Sequence, residues 1–291
     1  AASDVYKRQT SKISTESDLW GVETFGFRGE ALPSIASVSR LTLQTRSPDS
    51  AEGFSLTVHA GVEIDARACG MPQGTQIEVK DLFFNTPVRR KFLKATGTEF
   101  GHVSEAVTRL ALAYPSLHFT LKHNGKLVHD LPATPTLPDR LQLFFGPEVR
   151  NTLFEVTREQ GTLRLHGYIA DPVLDRGNAR LQYLFLNGRW FRDRGLSHAI
   201  QEGFRGLLMT GRYAVAFLFI EMPPDHVDVN VHPTKAEVRF RDPSSLFHLV
   251  LSAIRSRLNE ANLVPRLQPP SSAEFGIRNS ELQNASSAEF G

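Results

Sequence analysis

Two layered α+β domains joined by a proline-rich linker are the architecture this chain predicts, on three observations. Strand-like and helix-like segments alternate along its length. An Asn124-Gly125 dipeptide between alternating segments is the strongest short signal for a hairpin turn. Pro132-Ala-Thr-Pro-Thr-Leu-Pro138 breaks regular structure and is the best candidate boundary, with a second domain starting near Asp139.

Length and composition bound the rest. With 291 residues, 41% of them apolar, the chain is long enough for two packed domains. No apolar run approaches the roughly 18 residues of a membrane span, and no signal pattern opens the chain, so an intracellular protein without a membrane is expected. Cys69 is the single cysteine and has no histidines at ligand spacing, which argues against a disulfide or zinc. A net charge of +2 implies no polyanionic partner by itself, so local basic clusters carry that question.

Taken in order, residues 1–9 lack periodicity and a cap and read as a non-native lead, with residues 10–131 forming the first domain. Gly29 to Val38 predicts a helix and Leu41 to Arg46 a strand. Phe54 to His59 and Val62 to Arg67 pair as a hairpin around Ala60-Gly61. Gly74 to Leu82 alternates polar and apolar residues as a half-buried strand does. Phe100, Val103, Val107, Leu110 and Ala111 recur at helical spacing, predicting a helix over Thr98 to Ala113 with Thr98 as its cap. Leu117 to Lys122 and Lys126 to Asp130 are the arms of the Asn124-Gly125 hairpin.

After the linker at 132–138, the second domain covers 139–263. Strands are expected at Leu163 to Ala170, Gln182 to Leu186 and Tyr213 to Glu221, with helices at Leu196 to Leu208 and Ser244 to Asn262. Val227, Val229 and Val231 alternate with Asp228, Asn230 and His232, which gives one buried and one polar face ahead of Lys235. Residues 264–291 carry a short Ser-Ser-Ala-Glu-Phe-Gly duplication and read as a disordered or artefactual tail.

One stretch organises the chemistry: Gly26-Phe27-Arg28-Gly29-Glu30-Ala31-Leu32, running into a helix. Glycines before a helix start leave backbone N–H groups free beside the positive end of the dipole, a recipe for binding an anion. A glycine-hinged loop before a core helix is the plainer reading of the same residues. Arg189, Arg192, Arg194, Arg205 and Arg212 gather in the second half with little acid between them, as a phosphate-backbone footprint requires. Arg89, Arg90, Lys91 and Lys94 form another basic cluster, equally readable as a solvated face around buried Phe92 and Leu93. His226 and His232 with Asp228 lack a complete ligand set, so no metal site is expected.

Five stretches in the right order together resemble the N-terminal ATPase region of the MutL family of DNA mismatch repair proteins, part of the wider GHKL group. They are Thr10-Ser11-Lys12-Ile13, Gly26 to Leu32 with its Ser-Ile-Ala-Ser-Val tail, Gly74-Thr75 through Asp81 to Leu93, Asn187-Gly188-Arg189 with Arg192-Asp193-Arg194, and Val227 to Lys235. A lone glycine pair is weak evidence; five stretches in register are strong. The resemblance implies an α+β fold: a GHKL-type α/β sandwich, here incomplete, followed by a ribosomal-protein-like βα second domain.

The resemblance also implies roles. Gly26, Phe27, Arg28, Gly29, Glu30, Ala31 and Leu32 match a lid whose amides wrap the triphosphate, and Thr10, Ser11 and Lys12 match a lid segment lying against the nucleotide. Thr75 matches a threonine at the adenine end; alone it reads as an ordinary strand threonine. Lys235 matches a lysine that the second domain projects to the γ-phosphate, where its charge stabilises the transferred phosphoryl group. Arg194 matches an arginine associated with DNA binding, with Arg189 and Arg192 beside it. ATP and Mg²⁺ are the implied cofactors. DNA, the mismatch-recognition protein MutS, other repair proteins and a second copy are the implied partners, in a bacterial cytoplasm at the nucleoid.

The family's catalytic glutamate, magnesium-binding asparagine and adenine-binding aspartate-glycine motif lie upstream of Thr10, and residues 1–9 offer only Asp4. The polypeptide as written is therefore expected to hydrolyse ATP poorly, because an incomplete site cannot position water and metal. Two functions remain open: an ATP-binding and ATP-hydrolysing switch in DNA mismatch repair, and a non-catalytic DNA-binding or partner-docking fragment with a vestigial lid. Another GHKL enzyme such as a type II topoisomerase fits the motifs less well.

Overall fold

The computed structural model describes residues 29–228 and 238–263. Helix α1 (Ala31–Ala36) leads into β1 (Arg40–Arg46), followed by β2 (Gly53–His59), β3 (Val62–Cys69) and β4 (Gly74–Lys80). These strands form an antiparallel sheet in the order β3-β2-β1-β4. Register places Leu41 between Val58 and Val79, and Leu43 between Leu56 and Ile77, so one face is apolar. Edge strand β4 is exposed throughout, correcting the half-buried reading; Ile77 is 46% exposed despite its alternating neighbours. Alternation specifies which residues share a face but not whether anything covers that face.

The next helices are α2 (Pro87–Arg90) and α3 (Thr96–Ala113). Thr98 is not the cap of α3: Ala95 occupies that position without a side-chain cap bond, and Glu99 reaches back to accept from the Lys94 N–H at 2.8 Å. Phe92, expected to be buried among its basic neighbours, is 75% exposed. The Asn124-Gly125 turn forms as predicted, with φ of 49° and 74°, and joins β5 (Phe119–His123) to β6 (Lys126–Leu131).

Regular structure resumes inside the proline-rich stretch, because Pro138 sits in the first turn of α4 (Leu137–Phe145), where a helix requires no N–H from it. Thr136 caps that helix by accepting from the Asp139 N–H. Helix α5 (Pro147–Asn151) and strand β7 (Leu153–Gln160) follow. Then come β8 (Leu163–Ala170), β9 (Gln182–Leu186), β10 (Arg189–Phe191), α6 (Arg194–Gly203), β11 (Ala216–Glu221), β12 (Val227–Asp228), β13 (Arg239–Phe240) and α7 (Pro243–Glu260). Helices α4 and α5 and strands β7 and β10 have no counterpart in the sequence reading.

Five strands assemble in the order β10-β9-β11-β8-β7, antiparallel except for the β9/β11 pair. Both faces are covered, which explains why β9 and β11 read as near-continuous apolar runs. On one face Leu184, Leu186, Leu218 and Ile220 meet Ile200 of α6 and Leu249 and Ile254 of α7. On the other face Tyr183, Phe185 and Phe217 meet Leu112 of α3, Leu141 of α4 and Val149 of α5. Helices α6 and α7 pack closely at Gly203, where an added Cβ would stand 2.6 Å from Ile254 Cγ2. The C-terminal end of α3 is thereby part of this three-layer body, and the sheet β1 to β4 lies outside both clusters.

Candidate functional site

Of the nucleotide-lid residues, Gly29, Glu30, Ala31 and Leu32 are described, while Thr10, Ser11, Lys12, Gly26, Phe27, Arg28 and Lys235 lie outside the described residues. Gly29 has φ of 65°, a left-handed conformation that costs glycine little and lets the chain turn into α1. Glu30 stands at the N-cap of α1 without a side-chain cap bond, and Leu32 is 39% exposed in the first turn. The N–H groups of the first helical residues have no intrahelical acceptor, and Pro33 has none to offer.

The far end of α1 is held by the Asp81 to Asn85 loop. Phe83 N–H donates to the Val38 carbonyl at 2.7 Å, and Asn85 Nδ2 donates to the Ser37 carbonyl at 2.9 Å. Asp81 pairs with Arg40 at 3.2 Å, and the Arg40 guanidinium lies 5.0 Å from the Phe84 ring centroid. Asp81 and Phe83 both adopt positive φ, 52° and 64°, a strained backbone for residues with side chains.

Thr75 lies on exposed β4 and shares a hydroxyl hydrogen bond of 2.8 Å with Thr45. Because Arg40 pairs with Lys80 and Thr45 with Thr75, Thr75 is at the end of β1 remote from α1. Five residues of strand, about 17 Å, separate the two ends. Among the described residues no group of three His, Cys, Asp or Glu side chains could hold a metal ion.

The basic residues divide by their partners. Arg205 pairs with Glu202 at 3.2 Å, and Arg212 makes a close ion pair with Asp175, so the expectation of little acid around them is corrected. The reason is tertiary for Arg212, since Asp175 is brought to it by the fold, and helical for Arg205, three residues after Glu202. Arg192 and Arg194 are exposed and form no ion pair with an acid among the described residues. Arg194 opens α6, whose N-cap Asp193 accepts from the Leu196 N–H at 2.8 Å. Arg189 is half-buried, and burial pulls its pKa below the usual arginine value.

These arginines flank a turn that the sequence reading passed over as structure. Asn187 and Gly188, with φ of 47° and 78°, are a two-residue hairpin between Leu186 and Arg189. The Asn187 side chain then continues the sheet: its Nδ2 donates to the Met222 carbonyl at 3.0 Å and its Oδ1 accepts from the Met222 N–H at 3.1 Å. The same dipeptide signal that located Asn124-Gly125 was present here.

Residues the sequence did not point to adjoin this turn. Trp190 packs beside the aromatic cluster of Tyr183, Phe185 and Phe217. The Arg109 guanidinium of α3 lies 3.3 Å from the Trp190 ring centroid, and that of Arg192 lies 5.1 Å from it. Glu105 accepts from Arg109 Nε at 3.1 Å and from the Tyr183 hydroxyl at 3.5 Å. Burial is the leading cause that lowers the Arg109 pKa; Glu105 opposes it and Arg192 adds to it. Burial likewise pushes the Tyr183 hydroxyl well above the usual tyrosine range, with Glu105 adding to the shift.

The model of the DNA mismatch repair protein family, C-terminal domain, matches residues 141–259. The DNA mismatch repair protein MutL of Syntrophotalea carbinolica is 42% identical over 285 residues, covering 97% of this chain and 45% of the relative. The chain thus spans less than half the length of that relative. The Aquifex aeolicus MutL ATPase domain, solved in complex with ADP, is 31% identical with a TM-score of 0.56, covering 72% of this chain and 76% of that one. The N-terminal domain of a DNA repair protein shares the fold at a TM-score of 0.70 and 23% identity, over 84% of this chain and 79% of that one. No helix among the described residues is long and apolar enough to cross a membrane. With relatives and solved structures agreeing over most of its length, the chain belongs to the MutL family of DNA mismatch repair proteins.

Proposed function

We propose that this chain is the part of a mismatch repair protein that binds ATP and DNA and couples the two. The observation that carries the reading is the likeness to an ATPase domain solved with ADP, which extends over three quarters of that domain. Gly26 to Leu32, with Thr10, Ser11 and Lys12, wraps the phosphates; Thr75 serves the adenine end; Lys235 reaches the γ-phosphate. The exposed amides at the start of α1 support that assignment, since they favour negative charge. Bound Mg²⁺ would neutralise phosphate charge, and hydrolysis belongs to the whole protein. Residues 10–131 act as the nucleotide unit, and 139–263 as the unit that senses it across 132–138. In this reading the partners are DNA, MutS, other repair proteins and a second copy, in a cytoplasmic, nucleoid-associated setting.

A second reading, a DNA-binding module without nucleotide response, is favoured by the exposed charges of Arg192 and Arg194, which pair with no acid among the described residues, beside half-buried Arg189. The surface offers charge and no base-reading element, so binding of weak sequence selectivity and steep salt dependence is expected. Titration with fluorescent ATP, repeated in Lys235→Ala, separates the readings. Nucleotide binding lost in the variant supports the switch. Salt-sensitive DNA binding without any nucleotide binding by the wild type supports the module.

A further inference from the structure

We propose that Arg109 and Arg192 form a two-armed clamp for one DNA backbone phosphate, seated at Trp190 where α3 meets β10. The inference rests on the DNA binding proposed above and extends that surface from the second unit onto the first. Neither Arg109 nor Trp190 belongs to a motif that pointed to DNA.

Two guanidinium groups share one indole, at 3.3 and 5.1 Å from its centroid, and Arg192 acts on Arg109 as a like charge. Glu105 neutralises one of them, which leaves one positive charge over in the cluster of Arg109, Arg192 and Glu105. Arg109 gives Nε and Nη2 to Glu105, both at 3.1 Å, and no partner holds its Nη1 among the described residues. Arg192 is exposed and has no carboxylate within ion-pair reach among the described residues. An anion held between the two forks would relieve their repulsion. With the Arg109 side chain only 23% exposed, its charge-assisted hydrogen bond is less screened than one on an open surface. The indole limits where both forks point, because a cation over the ring face is held there.

A phosphodiester chain suits this site better than an isolated anion. Arg189 and Arg194 lie on the same β10 to α6 stretch, so a polyanion seated at the clamp meets further positive charge. Arg205 and Arg212 are occupied by Glu202 and Asp175, which leaves them out of the footprint.

The test uses the whole chain and a fluorescein-labelled duplex of about 30 base pairs, with anisotropy titrations between about 50 and 200 mM salt. Arg109→Gln and Arg192→Gln are each expected to weaken binding about threefold or more, the scale of one phosphate contact over that range. The double variant is expected to bind no more weakly than the worse single variant, with a salt slope reduced by about 0.9, the value of one phosphate. Additive losses in the double variant, or an unchanged slope, overturn the clamp. Arg109→Lys keeps a charge for Glu105 but not the fork, and is expected to weaken binding similarly while melting like the wild type. If the wild type shows no salt-dependent binding, the DNA reading itself fails. If Arg194→Glu weakens binding while Arg109→Gln and Arg192→Gln match the wild type, the clamp alone fails.

Discussion

Arg140 donates from Nη2 to the Pro115 carbonyl at 2.6 Å, with its side chain fully buried where α4 meets the end of α3. The same guanidinium donates to the carbonyls of Leu117, at 2.6 Å, and Leu131, at 3.0 Å. One residue of α4 thus ties together the segment leading into β5 and the last residue of β6. Its charge is tolerated because three carbonyl oxygens receive it. Burial lowers its pKa, with no compensating carboxylate among the described residues.

Replacing Arg140 with Met should leave those carbonyls without their donor in a dry site. A loss of about 3 kcal/mol in urea unfolding is expected, from unsatisfied buried acceptors. A midpoint like that of the wild type would show that the carbonyls find other donors.

Gly167 tests the close approach of β8 to β11. It has φ of 141°, and a Cβ there would stand 2.1 Å from the Phe217 carbonyl oxygen. Gly167→Ala should destabilise by about 3 kcal/mol through backbone displacement and overpacking. Gly125→Ala, with nothing within 4 Å, isolates the cost of positive φ and should cost less, about 1 kcal/mol. Paired thermal melts compare them.

Three carboxylates make stability depend on pH. Hydrogen bonds from Arg212 hold Asp175 below the usual carboxylate range, Thr136 and then Arg150 do so for Asp139, and Ser245 does so for Asp242. A depressed folded pKa means stability is present above the unfolded value of about 3.9 and is lost as pH falls through the folded value. Melting temperature should therefore fall on acidification below about pH 4. Asp175→Asn should lower the melting temperature at neutral pH and flatten that acid limb; an acid limb as steep as that of the wild type would exclude the Arg212 pairing as a contributor.

Tyr183 gives an alkaline signature. Its hydroxyl is raised by burial and then by Glu105, and that of Tyr168 is raised by burial and then by Glu155. Both hydroxyls should ionise above the usual tyrosine range in an ultraviolet titration. In Tyr183→Phe that late step should shrink; a late step of wild-type amplitude would exclude Tyr183 as its source.

The paired arginines supply a control for the DNA surface. Arg205→Gln and Arg212→Gln should leave the salt slope of duplex binding unchanged, since each charge is already matched by an acid. Arg194→Glu should weaken binding about tenfold at low salt, because it removes one charge and adds its opposite near the phosphates. Equal losses in all three variants would mean a diffuse field rather than a defined footprint.

Much of the order of elements along the chain is legible in the sequence. The apolar runs of β9 and β11 announce strands, and Asn124-Gly125 announces its hairpin. Asn187-Gly188 carries the same signal for β10. Strand β7 was missed because Leu153 to Gln160 carries Glu155, Arg158 and Glu159, as suits an edge strand whose side chains reach solvent. Helix α4 was hidden by Pro138, which reads as a breaker until Thr136 is seen to cap the turn.

By itself the sequence determined family membership, the alternation of elements and the residue types of the lid and the arginine stretch, because these depend on local spacing and backbone preference. Only the tertiary structure decided the pairings between residues distant in sequence. Asp175 reaches Arg212 from 37 residues away, and Trp190 arrives from a distant strand to lie under Arg109. Spacing along a helix or strand is set by covalent geometry, whereas the pairing of charges and rings depends on how β10 and α3 pack. No local pattern encodes that packing.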